Sequence, residues 1–232
     1  MGERLERVLS TILVASTALI AVAFAKREFF DNQESNATNL PPVEFLSDWQ
    51  RMISYGTVIG DPNAKIKIVE FADLQCPFCQ AFQHRVNTVR QRYGNQVSQV
   101  FIHYPIQGHR FALPAAKSAE CARTFDRFGQ FVDLAYSKQD SFGIKSWTSY
   151  ASDAGIADTA AFSRCFSSQD LPTMVDRGRQ LASSIQVQGT PTVIINGWRF
   201  AAPPQDSVLE QTIASLLVGR RPPAAGKRWF LF

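Results

Sequence analysis

The sequence predicts an α/β fold interrupted by a helical insert and preceded by an apolar N-terminal segment. Three observations carry this. A β-branched run over 66–72 passes directly into a helix-period pattern over 77–93, the mark of a β–α unit. Residues 109–184 then read as helix throughout. Strand character returns at Thr192-Val193-Ile194-Ile195, and Asn196-Gly197 turns that strand back as a hairpin into Trp198-Arg199-Phe200.

Composition sets the outer bounds. A chain of 232 residues, 45% hydrophobic, suits one domain with appendages and has ample material for a core. The net charge of +4 comes from scattered Lys and Arg with no basic run, which argues against a nucleic-acid partner.

Residues 1–25 stand apart from the fold. From Val8 to Ala25 no residue is charged. The stretch fits a secretory signal, with Ala23-Phe24-Ala25 as a small-x-small cleavage pattern, or a membrane anchor that only just reaches spanning length. Lys26 and Arg27 directly after it favour retention. Residues 26–46 are polar and Pro-containing and read as a linker. The first α/β part covers 47–108. It holds a short helix and an edge strand within 47–59, the strand 66–72 and the helix 77–93, which Gly94 stops. A second strand over 97–104 runs parallel to the first, and Pro105 ends it. In the insert, Pro114 starts one helix and a second lies near 128–136. A third over 145–154 closes at Gly155, Asp158 caps a fourth through Phe166, and Asp170 with Pro172 opens a fifth. The second α/β part, 185–219, ends in a helix bearing Leu209, Ile213, Leu216 and Leu217, with Ser207 and Glu210 as a capping box. The tail 220–232 mixes Arg220, Arg221, Lys227 and Arg228 with Trp229, Phe230 and Phe232. It suits packing on the domain, contact with a membrane surface, or neither.

The chemistry concentrates where strand meets helix, in Cys76-Pro77-Phe78-Cys79. Pro77 falls at the first helical position, where its missing N–H costs nothing. Cys76 is then near the N-cap, where unpaired N–H groups and the helix dipole favour a thiolate. Cys79 sits one turn in, on the face shared by Phe82, Val86, Val89 and Tyr93. The reading therefore expects an exposed, acidic Cys76 beside a buried Cys79, the asymmetry that thiol–disulfide exchange requires. Strand alternation puts Glu70 on a face with Ile66 and Ile68. Burial there raises its pKa and suits it to exchange a proton with Cys79. The competing reading is a half-exposed strand-end carboxylate.

The Cys76-Pro77-Phe78-Cys79 motif, the acid six residues before it and Gly189-Thr190-Pro191 downstream resemble the DsbA-like branch of the thioredoxin superfamily. His103-Tyr104-Pro105, His109 and the helix 115–122 add to the likeness, which covers roughly 57–218. A lone CxxC is only moderately specific; a CxxC after a strand, with a Thr-Pro far downstream and helices between, is a much stronger signature. The resemblance implies a thioredoxin-like fold whose helical insert caps the active-site face. It implies a cis-Pro191 opposite the cysteines and a Thr190 backbone offered to an extended substrate. It also suggests a pair between Cys121 and Cys165, as two leftover cysteines in an exported chain usually make. Two free buried thiols, or a relay to Cys76–Cys79, remain as alternatives.

The function expected is extracytoplasmic thiol–disulfide exchange on exported proteins, with Cys76 and Cys79 as the redox pair and Glu70, Pro77, Phe78, Thr190 and Pro191 in support. Phe78 cannot donate a hydrogen bond to the Cys76 thiolate, so an intermediate reduction potential is expected. No cofactor is called for. The implied partners are thiol-containing exported substrates, the membrane through residues 8–25, and a membrane redox protein. That redox protein is a quinone-linked reoxidant or, if the domain runs as a reductase or isomerase, an electron donor. A zinc site is the rival from another class, but structural zinc favours two close ligand pairs. Here only one pair exists, and Cys121, Cys165, His84, His103 and His109 are each isolated.

Overall fold

The computed structural model describes residues 43–168 and 173–223. The expectations for 1–25, for most of the 26–46 linker, for the helix start at Asp170 and Pro172 and for the tail beyond 223 lie outside the described residues. No helix among the described residues is long and apolar enough to cross a membrane.

A six-stranded mixed sheet organises the described residues. Its strands are β1 (Val43–Phe45), β2 (Thr57–Ile59), β3 (Ile66–Ala72), β4 (Val97–His103), β5 (Thr192–Ile195) and β6 (Trp198–Phe200), in the order β1-β6-β5-β3-β4-β2. Strands β3 and β4 are parallel, with Glu70 opposite Phe101; on its other side β3 pairs antiparallel with β5, Glu70 opposite Val193. Every residue of β3 and β4 is buried, so both are interior strands covered on two faces. A 3-10 helix (Trp49–Tyr55) precedes β2.

The strand β1 lies inside the stretch read as a linker. It pairs antiparallel with β6, Glu44 opposite Arg199. Three residues carry too little alternation to be read as a strand alone; the β5–β6 hairpin, whose turn Asn196 (φ 44°) and Gly197 (φ 90°) make, supplies the template.

The helices follow the sequence closely. They are α1 (Pro77–Tyr93), α2 (Ala112–Arg123), α3 (Phe128–Ser137), α4 (Trp147–Asp153), α5 (Thr159–Ser167), α6 (Thr173–Ser184) and α7 (Asp206–Leu217). Helix α2 begins two residues before Pro114, which sits within the first turn where an N–H is dispensable. Asp158 caps α5 by accepting from the Ala161 N–H. The capping box expected for α7 does not form. The helix starts two residues earlier, after Pro203-Pro204-Gln205, without a side-chain cap. Glu210 turns instead to Arg92 of α1, and Asp206 pairs with Arg85 at 3.2 Å.

Two apolar clusters line the sheet. One joins Phe101, Cys79 and Leu74 to the insert through Ala119, Phe131, Tyr150 and Phe162. The other packs Val69, Phe71, Val100 and Ile102 against Met52, Leu181 and Ala182. Helix α6 approaches β4 so closely that a Cβ on Gly178 would stand 2.3 Å from the His103 carbonyl oxygen, so only glycine fits there.

Candidate active site

The site forms where β3 ends and α1 begins. Cys76 is the extended N-cap of α1 and Pro77 occupies the first turn. Both cysteines are unbonded to any other thiol. Cys79 is fully buried. Cys76, expected to be exposed, is only 3% accessible, and the expectation is corrected on this point. The cover has two sources. Its Sγ faces the Thr190 carbonyl oxygen at 3.4 Å, and the Thr190–Pro191 peptide is cis. From the insert, the Gln139 side chain donates to the carbonyls of Leu74 (2.8 Å) and Cys76 (3.2 Å). Phe78, by contrast, is 72% exposed.

The two sulfurs differ sharply in acidity. The Cys79 thiol beside it does most to hold Cys76 down, to about 5. The Thr190 hydroxyl and the N–H groups of Cys79 and Phe78 add to this, while burial opposes it. The Thr190 hydroxyl is buried with no hydrogen-bond partner among the described residues, so an ionised Cys76 gives it one. Burial pushes Cys79 well up, helped by Cys76 and by Glu70, against an N–H from Asp73. One thiol is thus built to ionise and the other to hold its proton.

Glu70 is completely buried on the sheet face toward the cysteines. Burial raises its pKa to about 8, against the pull of a 2.7 Å hydrogen bond donated by Gln99. Its other oxygen, Oε1, has no hydrogen-bond partner among the described residues.

Several contributing residues, Asp73 and Tyr136 among them, gave no sequence signal, whereas His103 and His109 figured in the family likeness. Buried Asp73 accepts from the N–H groups of Gln75 (2.7 Å) and Ile106 (2.8 Å) and pairs with His109 Nδ1 at 2.7 Å. Tyr136, buried on α3, directs its hydroxyl to the Asp73 carbonyl at 3.4 Å. These partners are distant in sequence, and only the fold brings them together. His103 is buried beside Glu120 at 3.3 Å, whereas His84 is exposed on α1. No cluster of metal-ligating side chains occurs among the described residues.

Cys121 of α2 and Cys165 of α5 are bonded, with Cα atoms 5.9 Å apart. They lie within the insert and do not join the Cys76–Cys79 site. Beside the site, Phe78, Gln188, Thr190, Pro191, Phe200 and Pro203 line a cleft of about 460 Å³.

Comparison with known proteins gives a consistent picture. A family model described as thioredoxin matches residues 53–215. Among curated relatives, the chain is 31% identical over 150 residues to Na(+)/H(+) antiporter NhaA 1 of Mycolicibacterium gilvum, covering 63% of this chain and 24% of the antiporter. It thus spans about a quarter of the length of the antiporters it matches. It is 29% identical over 170 residues to "probable disulfide bond formation protein D" of Bacillus cereus, covering 68% of this chain and 78% of that protein. Among solved structures, oxidised BdbD of Bacillus subtilis superposes with a TM-score of 0.64 at 20% identity, covering 78% of this chain and 100% of that one. The thiol-disulfide exchange protein alpha-DsbA2 of Wolbachia pipientis superposes with a TM-score of 0.64 at 23% identity, covering 73% and 92%.

Proposed function

We propose, because this chain belongs to the thioredoxin-like DsbA family of oxidoreductases, that it exchanges disulfides with exported proteins outside the cytoplasm through Cys76 and Cys79. The observation that carries the reading is the split between the two thiols, one drawn down to about 5 and the other pushed well up.

The oxidised pair starts the cycle. A substrate thiolate attacks Cys76 Sγ, the Cys76–Cys79 bond breaks, and a mixed disulfide forms. Cys79 departs as a thiolate and takes a proton from Glu70, which holds one at neutral pH. A second substrate thiolate then attacks the substrate sulfur of the mixed disulfide. Cys76 leaves as a stabilised thiolate, the substrate gains a disulfide, and the pair keeps two electrons. Low thiol pKa makes Cys76 a good leaving group, which favours this oxidising direction. Return to the disulfide state falls to a membrane redox protein of quinone-linked chemistry. The same residues run backwards as a reductase or isomerase when an electron donor feeds the pair.

The cleft beside Pro191 suits an extended segment of substrate, with the backbone at 189–191 for strand-like pairing and Phe78, Phe200 and Pro203 for apolar side chains. Residues 1–25 serve as signal or anchor. The bonded Cys121 and Cys165 serve stability, since each is already paired with the other and not with the exchanging pair. Ion transport, named for the antiporters, is not part of this reading, because the geometry described is that of a dithiol.

The test is thiolate absorbance of the reduced protein against pH. One thiolate should appear with a midpoint near 5, and the C76S variant should lose it. A single midpoint near 9.0, the ordinary thiol value, overturns the reading. Equilibration with glutathione then fixes the direction in which the pair prefers to run.

A further inference from the structure

A buried polar chain leads away from Glu70, and the exchange reaction described above does not use it. Gln99 Nε2 donates to Glu70 Oε2 at 2.7 Å and to Gln83 Oε1 at 2.8 Å. Gln83 Nε2 returns a bond to Gln99 Oε1 at 3.2 Å, donates to Asp133 Oδ1 at 3.0 Å and lies 3.3 Å from a further acceptor, Asn87 Oδ1. Asn87 Nδ2 also donates to Asp133 Oδ1, at 2.8 Å, and Asn87 Oδ1 accepts from Arg90 at 3.2 Å. Gln83 and Gln99 are buried. Asp133, on α3, lines a separate cleft of about 470 Å³ with Arg90, Arg123, Asp126 and Gln130.

We infer that Asp133 is a positioning residue: it fixes the direction of two buried amides and so determines which oxygen of Glu70 carries the proton. A side-chain amide has a donor end and an acceptor end, whereas a carboxylate only accepts. Asp133 therefore obliges Gln83 to present its nitrogen, directly at 3.0 Å and through Asn87, whose own amide it orients so that the Asn87 oxygen also faces Gln83. The Gln83 oxygen then faces Gln99, and Gln99 presents its nitrogen to Glu70. With Oε2 committed as an acceptor, the proton of neutral Glu70 resides on Oε1, the oxygen without a partner among the described residues. That proton is the one free to leave toward Cys79. The inference rests on the dithiol reading for its consequence but not for its geometry.

The groups facing the two ends are few. Glu70 faces Cys76 and Cys79 from α1, Gln99 from β4 and Tyr136 from α3. Asp133 faces Arg90 and Asn87 from α1, with Arg123 and Asp126 across its cleft.

The sign of one substitution separates this arrangement from plain charge effects. In Asp133→Asn the end residue can donate as well as accept, so Gln83 keeps only the longer acceptor, Asn87 Oδ1, and both amides can reverse. Gln99 then accepts from protonated Glu70, which gives the neutral form a bond that the wild-type arrangement denies it. The Glu70 midpoint should rise by about one pH unit or more. Plain electrostatics gives the opposite, because losing a negative charge favours ionised Glu70 and lowers the midpoint.

The experiment follows the Glu70 carboxyl by carbon NMR in the reduced full chain, with no substrate present. A rise in D133N, with wild-type behaviour in D133E, supports the inference; a fall, no change, or a rise in D133E as well overturns it. In the Gln83→Leu background the D133N shift should vanish, and its persistence also overturns it. Should D133N not fold, the unsubstituted chain still decides: the Gln99 side-chain nitrogen must titrate with Glu70, and a Gln99 signal indifferent to pH is fatal. Because no thiol exchange is read out, failure here is distinct from failure of the oxidoreductase reading.

Discussion

Glu70 shows what one residue costs and contributes. Its proton is bound in the folded chain up to about pH 8, while in the unfolded chain it leaves near 4.5. A raised carboxyl favours the fold below the unfolded value, and that contribution is lost as pH rises through the folded value. Glu70→Gln removes the titration and keeps the shape. The stability gap of E70Q over wild type should therefore open between about pH 4.5 and about pH 8 and stay constant above that. Urea denaturation of both reduced proteins at pH 4.5, 6 and 8 measures it, and a gap independent of pH contradicts the burial of an ionisable Glu70. This residue was legible in the sequence because a carboxylate on the strand face of Ile66 and Ile68 violates the apolar pattern. Gln83 and Gln99 break their patterns more gently, and an uncharged amide among apolar neighbours reads as an edge position. Asp73 and Asp133 were silent, since their meaning lies in partners more than 30 residues away, and His109 figured only as part of the family likeness. The exposure of Cys76 was misjudged for the same reason. Its place at the N-cap is local information, but the cover from Thr190 and Gln139 is tertiary.

Elements were read more reliably than contacts, because periodicity is a local property. Helix α1, strands β3, β4 and β5 and the Asn196-Gly197 turn appear within a residue or so of expectation. The failures were elements defined by their neighbours: β1, which needs the β6 edge, and the start of α7, where Glu210 prefers Arg92 to a capping role. The bonded Cys121 and Cys165 tie two helices of the insert, and their separation of 44 residues sets the expected effect of removing them. On the loop-entropy model the bridge constrains the unfolded chain by about 4 kcal/mol, an upper figure for such bonds. The double variant C121A/C165A should unfold at lower denaturant by up to that amount. Its Cys76 thiolate midpoint should be unchanged, since the bond stands outside the site. A double variant that keeps full stability and loses peptide oxidation points instead to a relay between the two cysteine pairs.

At the scale of the whole molecule, the reactive pair sits on the seam between the α/β part and the insert. The turn leading into α1 belongs to the first, and its fastenings come from the second. Asp73 holds the N–H of Ile106 and the His109 ring, and Gln75 accepts from the Phe111 N–H, so the turn is stitched to the chain entering the insert. Tyr136 and Gln139 close over it from α3 and beyond. The near-complete burial of Cys76 is thus a property of docking, and loosening the seam should uncover the sulfur. Asp73→Ala strips three part-buried donors, the N–H groups of Gln75 and Ile106 and the His109 ring, of their acceptor, at up to about 1–3 kcal/mol for each left unpaired. The variant should melt at a lower temperature. Its Cys76 should also alkylate several-fold faster than wild type when rates are compared at full ionisation, so that acidity does not enter. Asp48→Ala removes an exposed carboxylate that meets Arg51 and the Ser47 hydroxyl, each at 3.3 Å, and should change neither quantity. If D73A alkylates at the wild-type limiting rate while its stability falls, the insert stabilises the fold without screening the sulfur, and access to Cys76 is then set by the Thr190–Pro191 side of the site alone.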